Sequence, residues 1–263
     1  MDLGTITSVV SARSRADLSI LGADTQVLAG GTWLFSEPQD HLTTLVDLST
    51  LGWPPLTSTA HGLEVAATCT LAELAHADHP AAALFRQCCS ALLASEKIWN
   101  TATVGGNLSL SLPAGAMVSL MAALDATLTV WAANGDDYEI GVTEFVTGVN
   151  ANVMQPGDVL RSIMIPTDSL DSRTAFRKVA LAPLGRSGSV VIGRLAPNGE
   201  FVITITAATT KPVQLRFDAL PTAADVAAKV AEIDVWFDDP HGKPDWRRHV
   251  SGVLAQEVLE ELR

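Results

Sequence analysis

Two Gly-Gly pairs constrain this chain more than any other feature. They lie in Val27-Leu28-Ala29-Gly30-Gly31-Thr32 and in Thr103-Val104-Gly105-Gly106-Asn107-Leu108. Each follows an apolar, strand-like run. Glycine lets consecutive backbone N–H groups point one way and lets an anion approach without meeting a Cβ. A helix start at either place would add partial positive charge. The hydroxyls of Thr32 and Thr103 and the amide of Asn107 are further donors. One such pair is usually a tight turn. Two in matching contexts read as a candidate seat for a pyrophosphate.

Charge makes backbone donors the natural choice. The 263 residues carry 29 acids against 17 bases, a formal net charge of −12. Such a chain is a poor partner for nucleic acid, because phosphate affinity comes from Lys and Arg. It is equally poor at adhering to an anionic membrane. Hydrophobic residues make up 48%, enough for a large core and too many for a disordered chain. The most apolar stretch, Met117–Ala133, is broken by Ser119 and Asp125 and is too short to span a bilayer. The first residues lack a basic-then-apolar leader pattern. Cys69, Cys88 and Cys89 are odd in number and form no CxxC, so a disulfide framework, a zinc ribbon or an iron–sulfur site is not expected. A cytoplasmic, soluble protein is the expectation.

Three zones follow from the breakers. Residues 1–55 read as a small α/β unit: a weak helix over Ser8–Leu21, strands Gln26–Leu28 and Thr44–Leu48, and a helix start at Trp33–Phe35. Gly52-Trp53-Pro54-Pro55 marks a boundary. Residues 56–168 open on the strand Gly62–Ala67. A capping box follows, Thr70 with Glu73, and then a buried helix over Ala81–Ser95. The segment Thr103–Leu108 reads as a strand-to-glycine turn, Val118–Leu124 as a helix, Ala126–Trp131 as a strand turning at Asn134-Gly135, and Val159–Pro166 as a strand. Residues 169–263 read as three antiparallel strands, Ala175–Ala180, Val190–Leu195 and Phe201–Ala207. Two helices follow, Ala223–Ile233 and Asp245–Arg263. The second carries Trp246, Val250, Val253, Leu254 and Val258 on one face. The class is α+β.

Acid–base, metal and nucleophile signatures are weak. GxSxG, HExxH, the Walker lysine motif and GxGxxG are all missing. His76 and His79 stand three apart just before Pro80, with no third ligand nearby. Cys88-Cys89 lies in an apolar helix and reads as core thiols. Asp136, Asp137 and Glu139 read as a solvated turn.

Leu28-Ala29-Gly30-Gly31-Thr32 resembles the first flavin loop of the FAD-binding medium subunits of molybdenum hydroxylases, the family of the carbon monoxide dehydrogenase medium subunit and the xanthine dehydrogenase FAD domain. Asn100–Leu108 (NTATVGGNL) resembles the family's second loop. The likeness continues in order through Val46-Asp47-Leu48-Ser49, Gly62–Ala75, Pro156–Leu160 with Ile165-Pro166, Phe176-Arg177-Lys178 and Trp246–Val250. It implies a two-part FAD-binding α/β domain of the vanillyl-alcohol-oxidase (PCMH) type, followed by a C-terminal three-stranded antiparallel sheet with helices. It implies FAD in a cleft, with the pyrophosphate held by Ala29, Gly30, Gly31, Thr32 and Trp33 and by Thr103, Val104, Gly105, Gly106 and Asn107. Leu160 and Lys178 map onto family contacts near the flavin. No catalytic acid or base and no metal ligand is implied. The implied role is electron relay to an acceptor, with an iron–sulfur small subunit and a molybdopterin-containing large subunit as partners.

Three positions depart from the family pattern. Ala116 stands where an acid usually binds a cofactor hydroxyl, Trp33 replaces the usual Asp, and Trp99 replaces the usual Arg. Losing one carboxylate–hydroxyl hydrogen bond costs about 1.5–3 kcal/mol, roughly ten- to a hundredfold in affinity. These departures motivate one alternative, a flavin-poor scaffold or assembly subunit of the same complex; a further one is a self-contained flavin oxidase of the broader fold superfamily.

Overall fold

The structure is a computed structural model and describes residues 3–263, so the first two residues of the 1–55 zone lie outside it. Its N-terminal part is a three-stranded parallel sheet, in which β1 (Ser8–Ser11) and β2 (Thr25–Leu28) flank a central β3 (Thr44–Asp47). The helix expected over Ser8–Leu21 is thus a strand and a 3-10 turn, Arg15–Ile20. The adjacent β-branched Val9 and Val10 suit the strand, and β1 supplies the ladder partners β3 needs on its second edge. The 3-10 turn starts where Ser14 and Asp17 cap each other.

The middle sheet is antiparallel. β4 (Leu56–Thr59) and β5 (Gly62–Ala66) form one hairpin; β6 (Thr127–Trp131) and β7 (Tyr138–Gly141) form another, turned at Gly135 with φ +89°. A two-stranded ribbon, β8 (Val146–Gly148) with β9 (Ala151–Asn152), lies beside it. The central strand β10 (Val159–Pro166) joins β5 to β6. Helices Ala82–Ala91, Val104–Leu110 and Ala116–Ala123 fill the core against this sheet, with Cys88, Cys89, Met117, Leu120 and Met121 fully enclosed. Burial pushes the Cys89 thiol up to about 12, so it packs as a small hydrophobe.

The C-terminal sheet has four strands, not the three expected. β11 (Arg173–Val179), β12 (Ser189–Leu195), β13 (Phe201–Thr206) and β14 (Val213–Phe217) run antiparallel in that order. β14 alternates Val213, Leu215 and Phe217 with Gln214 and Arg216, a two-residue period between Pro212 and Pro221. Helices Ala223–Ala231 and Pro244–Leu262 cover one face. The buried side of the long helix is Arg247, Ser251, Leu254, Ala255, Val258, Leu259 and Leu262; Val253, expected inward, is exposed.

Two polar junctions tie the parts together. Arg161 stacks over Trp53 at 4.3 Å, and Arg15 stacks over Trp131 while pairing with Asp137 at 2.7 Å. The acidic turn is therefore an anchor for the N-terminal part. Asp125, in the left-handed conformation, takes ion pairs from both Arg194 and Arg216. Among the described residues no helix is long and apolar enough to cross a membrane.

Candidate functional site

Gly30 joins the two loops. A methyl group at this position would overlap the Thr101 carbonyl oxygen and crowd Ala102 Cα. The first glycine pair therefore lies backbone to backbone against the lead-in of the second. Gly31 takes φ +67°, a left-handed conformation that costs other residues strain. Its carbonyl accepts from Phe35 N at 2.9 Å, and Ser36 N bonds Trp33 O. The expected helix start at Trp33–Phe35 is this single turn, halted before Pro38.

The amides of Ala29, Gly30, Gly31, Thr32 and Trp33 have no hydrogen-bond partner among the described residues. They line one wall of a cavity of about 1310 Å³. A backbone path turning through a left-handed residue gathers N–H groups into an anion-binding concavity.

The second pair is built differently. Thr103–Leu108 is not a strand-to-turn segment: Thr103 caps a helix, Val104–Leu110, and the glycines sit in its first turn. Val104 N donates to Cys69 O at 2.8 Å, Gly105 N to Ala67 O at 2.9 Å and Gly106 N to Thr103 Oγ1 at 3.1 Å. Those donors are consumed, so the expectation that both pairs offer free amides holds for the first pair alone. Gly105 is required for another reason: a Cβ there would lie 2.5 Å from Ala67 Cβ and 2.7 Å from Ala67 O. What this loop offers is Asn107, whose Oδ1 caps the next helix at Met117 N (2.9 Å); its Nδ2 has no partner among the described residues.

Of the twelve candidate residues, Ala29, Gly30, Gly31, Thr32, Trp33, Thr103, Gly105, Gly106, Asn107 and Leu160 share the cavity wall. Val104 does not; it is fully buried in the core behind it. Lys178 is also off the wall. Its Nζ donates to the carbonyl of wall residue Ala91 at 3.4 Å, and burial lowers its pKa. Leu160 belongs to the wall segment Met154–Leu160, beside Leu21–Ala23 and Thr25–Val27. Ala91–Ser95 and the loop residues Leu184, Arg186 and Ser187 form another stretch.

The departures from the family pattern fall unevenly. Trp33 is on the wall, with 42% of its surface exposed. Ala116 is buried behind wall residues Ala114 and Gly115, and Trp99 is off the wall with its indole Nε1 buried and unpartnered. Although the chain has 29 acids, the one carboxylate on the wall among the described residues is Asp158. It is spent on Ala133 N at 3.0 Å and Gln155 N at 2.8 Å. His41 and Arg186 also line the cavity, and neither forms an ion pair among the described residues. The sequence reading missed both, as well as Leu92–Ser95. An isolated base or leucine carries no signal of its own until the fold brings it to a wall.

Fold and cavity together offer a seat for a phosphate-bearing cofactor between a parallel sheet and an antiparallel one. The open amides, the unpartnered Asn107 Nδ2, the left-handed glycine and the cavity's size all fit a dinucleotide such as FAD. The FAD-binding domain of molybdopterin dehydrogenases matches residues 5–168, and the chain belongs to that family, whose cofactor is FAD. It is 34% identical over 89 residues to the nicotinate dehydrogenase FAD-subunit of Eubacterium barkeri, a match covering 33% of this chain and 30% of that one. The whole fold is shared with chains of solved structures. Against CO dehydrogenase from Oligotropha carboxidovorans the TM-score is 0.86 at 22% identity, covering 100% of this chain and 99% of the other. Against quinoline 2-oxidoreductase from Pseudomonas putida 86 it is 0.82 at 20%, covering 100% and 98%.

Proposed function

We propose that this chain is the electron-relay subunit of a heteromeric molybdenum hydroxylase, taking electrons from an iron–sulfur small subunit whose own donor is a molybdopterin-containing large subunit. In this reading the cofactor's diphosphate lies against Ala29–Trp33. Asn107 Nδ2 donates from the facing loop, and Leu160 and Lys178 are the residues expected near the flavin. Bound FAD supplies a ring that accepts electrons and releases them in one- or two-electron steps. The chain's part is to hold the diphosphate on neutral donors, to spend the wall's Asp158 on backbone amides and to fix the ring's position. The observation that carries the reading is the seating of Gly30 on the Thr101 backbone, which makes one wall of both loops beneath five open amides. Membership of the molybdopterin dehydrogenase family, and likeness to a chain that is itself the FAD-subunit of a dehydrogenase, support a place beside other subunits.

The loss of the acid at Ala116 favours a second reading, a flavin-poor scaffold of the same complex. Titrating the purified chain with FAD separates them. A flavin absorption band that survives desalting supports the relay, and a colourless chain that no FAD reconstitutes sinks it. Copurification with molybdenum- and iron–sulfur-containing chains tests the partners.

A further inference from the structure

Arg247 is 1% exposed, in the first turns of the long C-terminal helix, and does not line the cavity. Its guanidinium nevertheless reaches two segments of the wall or their anchors. Nη1 donates to Gly188 O at 2.6 Å. Gly188 ends the loop 180–187 between β11 and β12, which carries Leu184, Arg186 and Ser187 onto the wall and is closed by Gly188 N bonding Val179 O at 2.8 Å. The same Nη1 donates to Ala207 O at 2.5 Å. Ala207 is held at φ +61°, and its N–H donates to Pro113 O at 2.7 Å, between wall residues Leu112 and Ala114. Nε donates to Gly242 O at 2.9 Å and Nη2 pairs with Asp239. The neighbouring Trp246 ring packs so closely on Gly188 and Gly242 that a Cβ would stand 2.5 and 2.7 Å from it. The Ser251 and Ser189 hydroxyls add a second tie, 2.8 Å apart.

A buried charge is a poor stability device, because desolvation offsets its pairing; in several proteins such a group serves instead to fix one geometry. A planar fork meets three carbonyls and a carboxylate in one fixed geometry, whereas an ammonium has three donors about a single point. We propose that Arg247 is a positioning residue for the cofactor cavity, holding the Leu184–Ser187 loop and the Leu112–Gly115 segment in register from outside the wall. The proposal rests on the FAD reading for its consequence and on the hydrogen bonds above for its geometry.

The test uses the full chain and compares Arg247→Met, Arg247→Lys and Asp239→Asn with Val258→Ala. Val258 is fully buried on the same helix, against Gly193. At a temperature where circular dichroism shows every variant folded, Arg247→Met weakens FAD binding at least tenfold and opens the bound flavin to iodide quenching. Arg247→Lys and Asp239→Asn do so less. Val258→Ala lowers Tm and leaves affinity within twofold. Amide hydrogen exchange, read with and without FAD, accelerates at both 112–115 and 180–187 in the Arg247 and Asp239 variants, and at neither in Val258→Ala. Exchange faster only around 239–247, or FAD affinity and quenching unchanged in Arg247→Lys and Asp239→Asn, overturns the proposal even if Arg247→Met fails to fold. A wild-type chain that binds no FAD sinks the proposed function instead, and the exchange result still decides whether Arg247 holds the wall.

Discussion

Gly30-Gly31 and Gly105-Gly106 follow similar apolar runs, and each precedes a polar side chain that faces the cavity. In the first pair the glycines leave amides open: Gly31 turns the chain through a left-handed conformation and Ala29–Trp33 keep their N–H groups unpartnered. In the second the glycines close space. Gly105 lets a helix touch the Ala67 backbone, and the first-turn N–H groups are satisfied by Cys69, Ala67 and Thr103. A glycine pair thus signals that two things approach closely. It does not say whether the second thing is a ligand or another stretch of the same chain.

Substitutions can break or sharpen this comparison. The largest effect is expected at Gly30→Ala, where the added methyl meets a carbonyl oxygen and neither backbone can yield. FAD affinity should fall at least a hundredfold, with stability reduced by about 1–3 kcal/mol. Retained affinity in an FAD titration would mean that the two loops do not form one seat. Gly105→Ala is next. It should cost a similar ~1–3 kcal/mol in a thermal or urea melt but weaken FAD less than Gly30→Ala, since its amide already serves Ala67. If it abolished FAD binding while leaving Tm unchanged, the distinction between the pairs would be wrong. Gly106→Ala should do least. Its Cβ meets one movable atom, Thr103 Oγ1 at 2.8 Å, and the gain of up to ~1 kcal/mol in helix propensity offsets the disturbance. Both Tm and FAD affinity should stay close to wild type.

Much of the fold was legible because it rests on local chemistry. The Thr70–Glu73 capping box is present, with Glu73 Oε2 accepting from Thr70 N at 2.8 Å. Asn134-Gly135 makes its hairpin, and Phe201–Thr206 is a fully buried strand. The adjacency of the two glycine loops was also anticipated. The helix at Val104–Leu110 was not, because two glycines early in a helix argue against one; it stands through the Thr103 cap and the close approach of Ala67. Lys178 and Val104 were placed beside the cofactor by their position in motifs, yet one sits a hydrogen bond behind the wall and the other within the core. Arg247 was hidden most completely: an arginine in a helix reads as solvated, and burial depends on partners brought in from Gly188, Ala207 and Asp239.

By itself the sequence determined the class of elements, the hairpin turns and the family's two loops, since those follow from side-chain period, cap chemistry and glycine's freedom over a few neighbouring residues. Which glycine amides stay open, which carboxylates are kept from the wall and which distant arginine braces it were decided by the tertiary structure. Those properties depend on what stands opposite each group, and that is set by contacts between residues far apart in the chain.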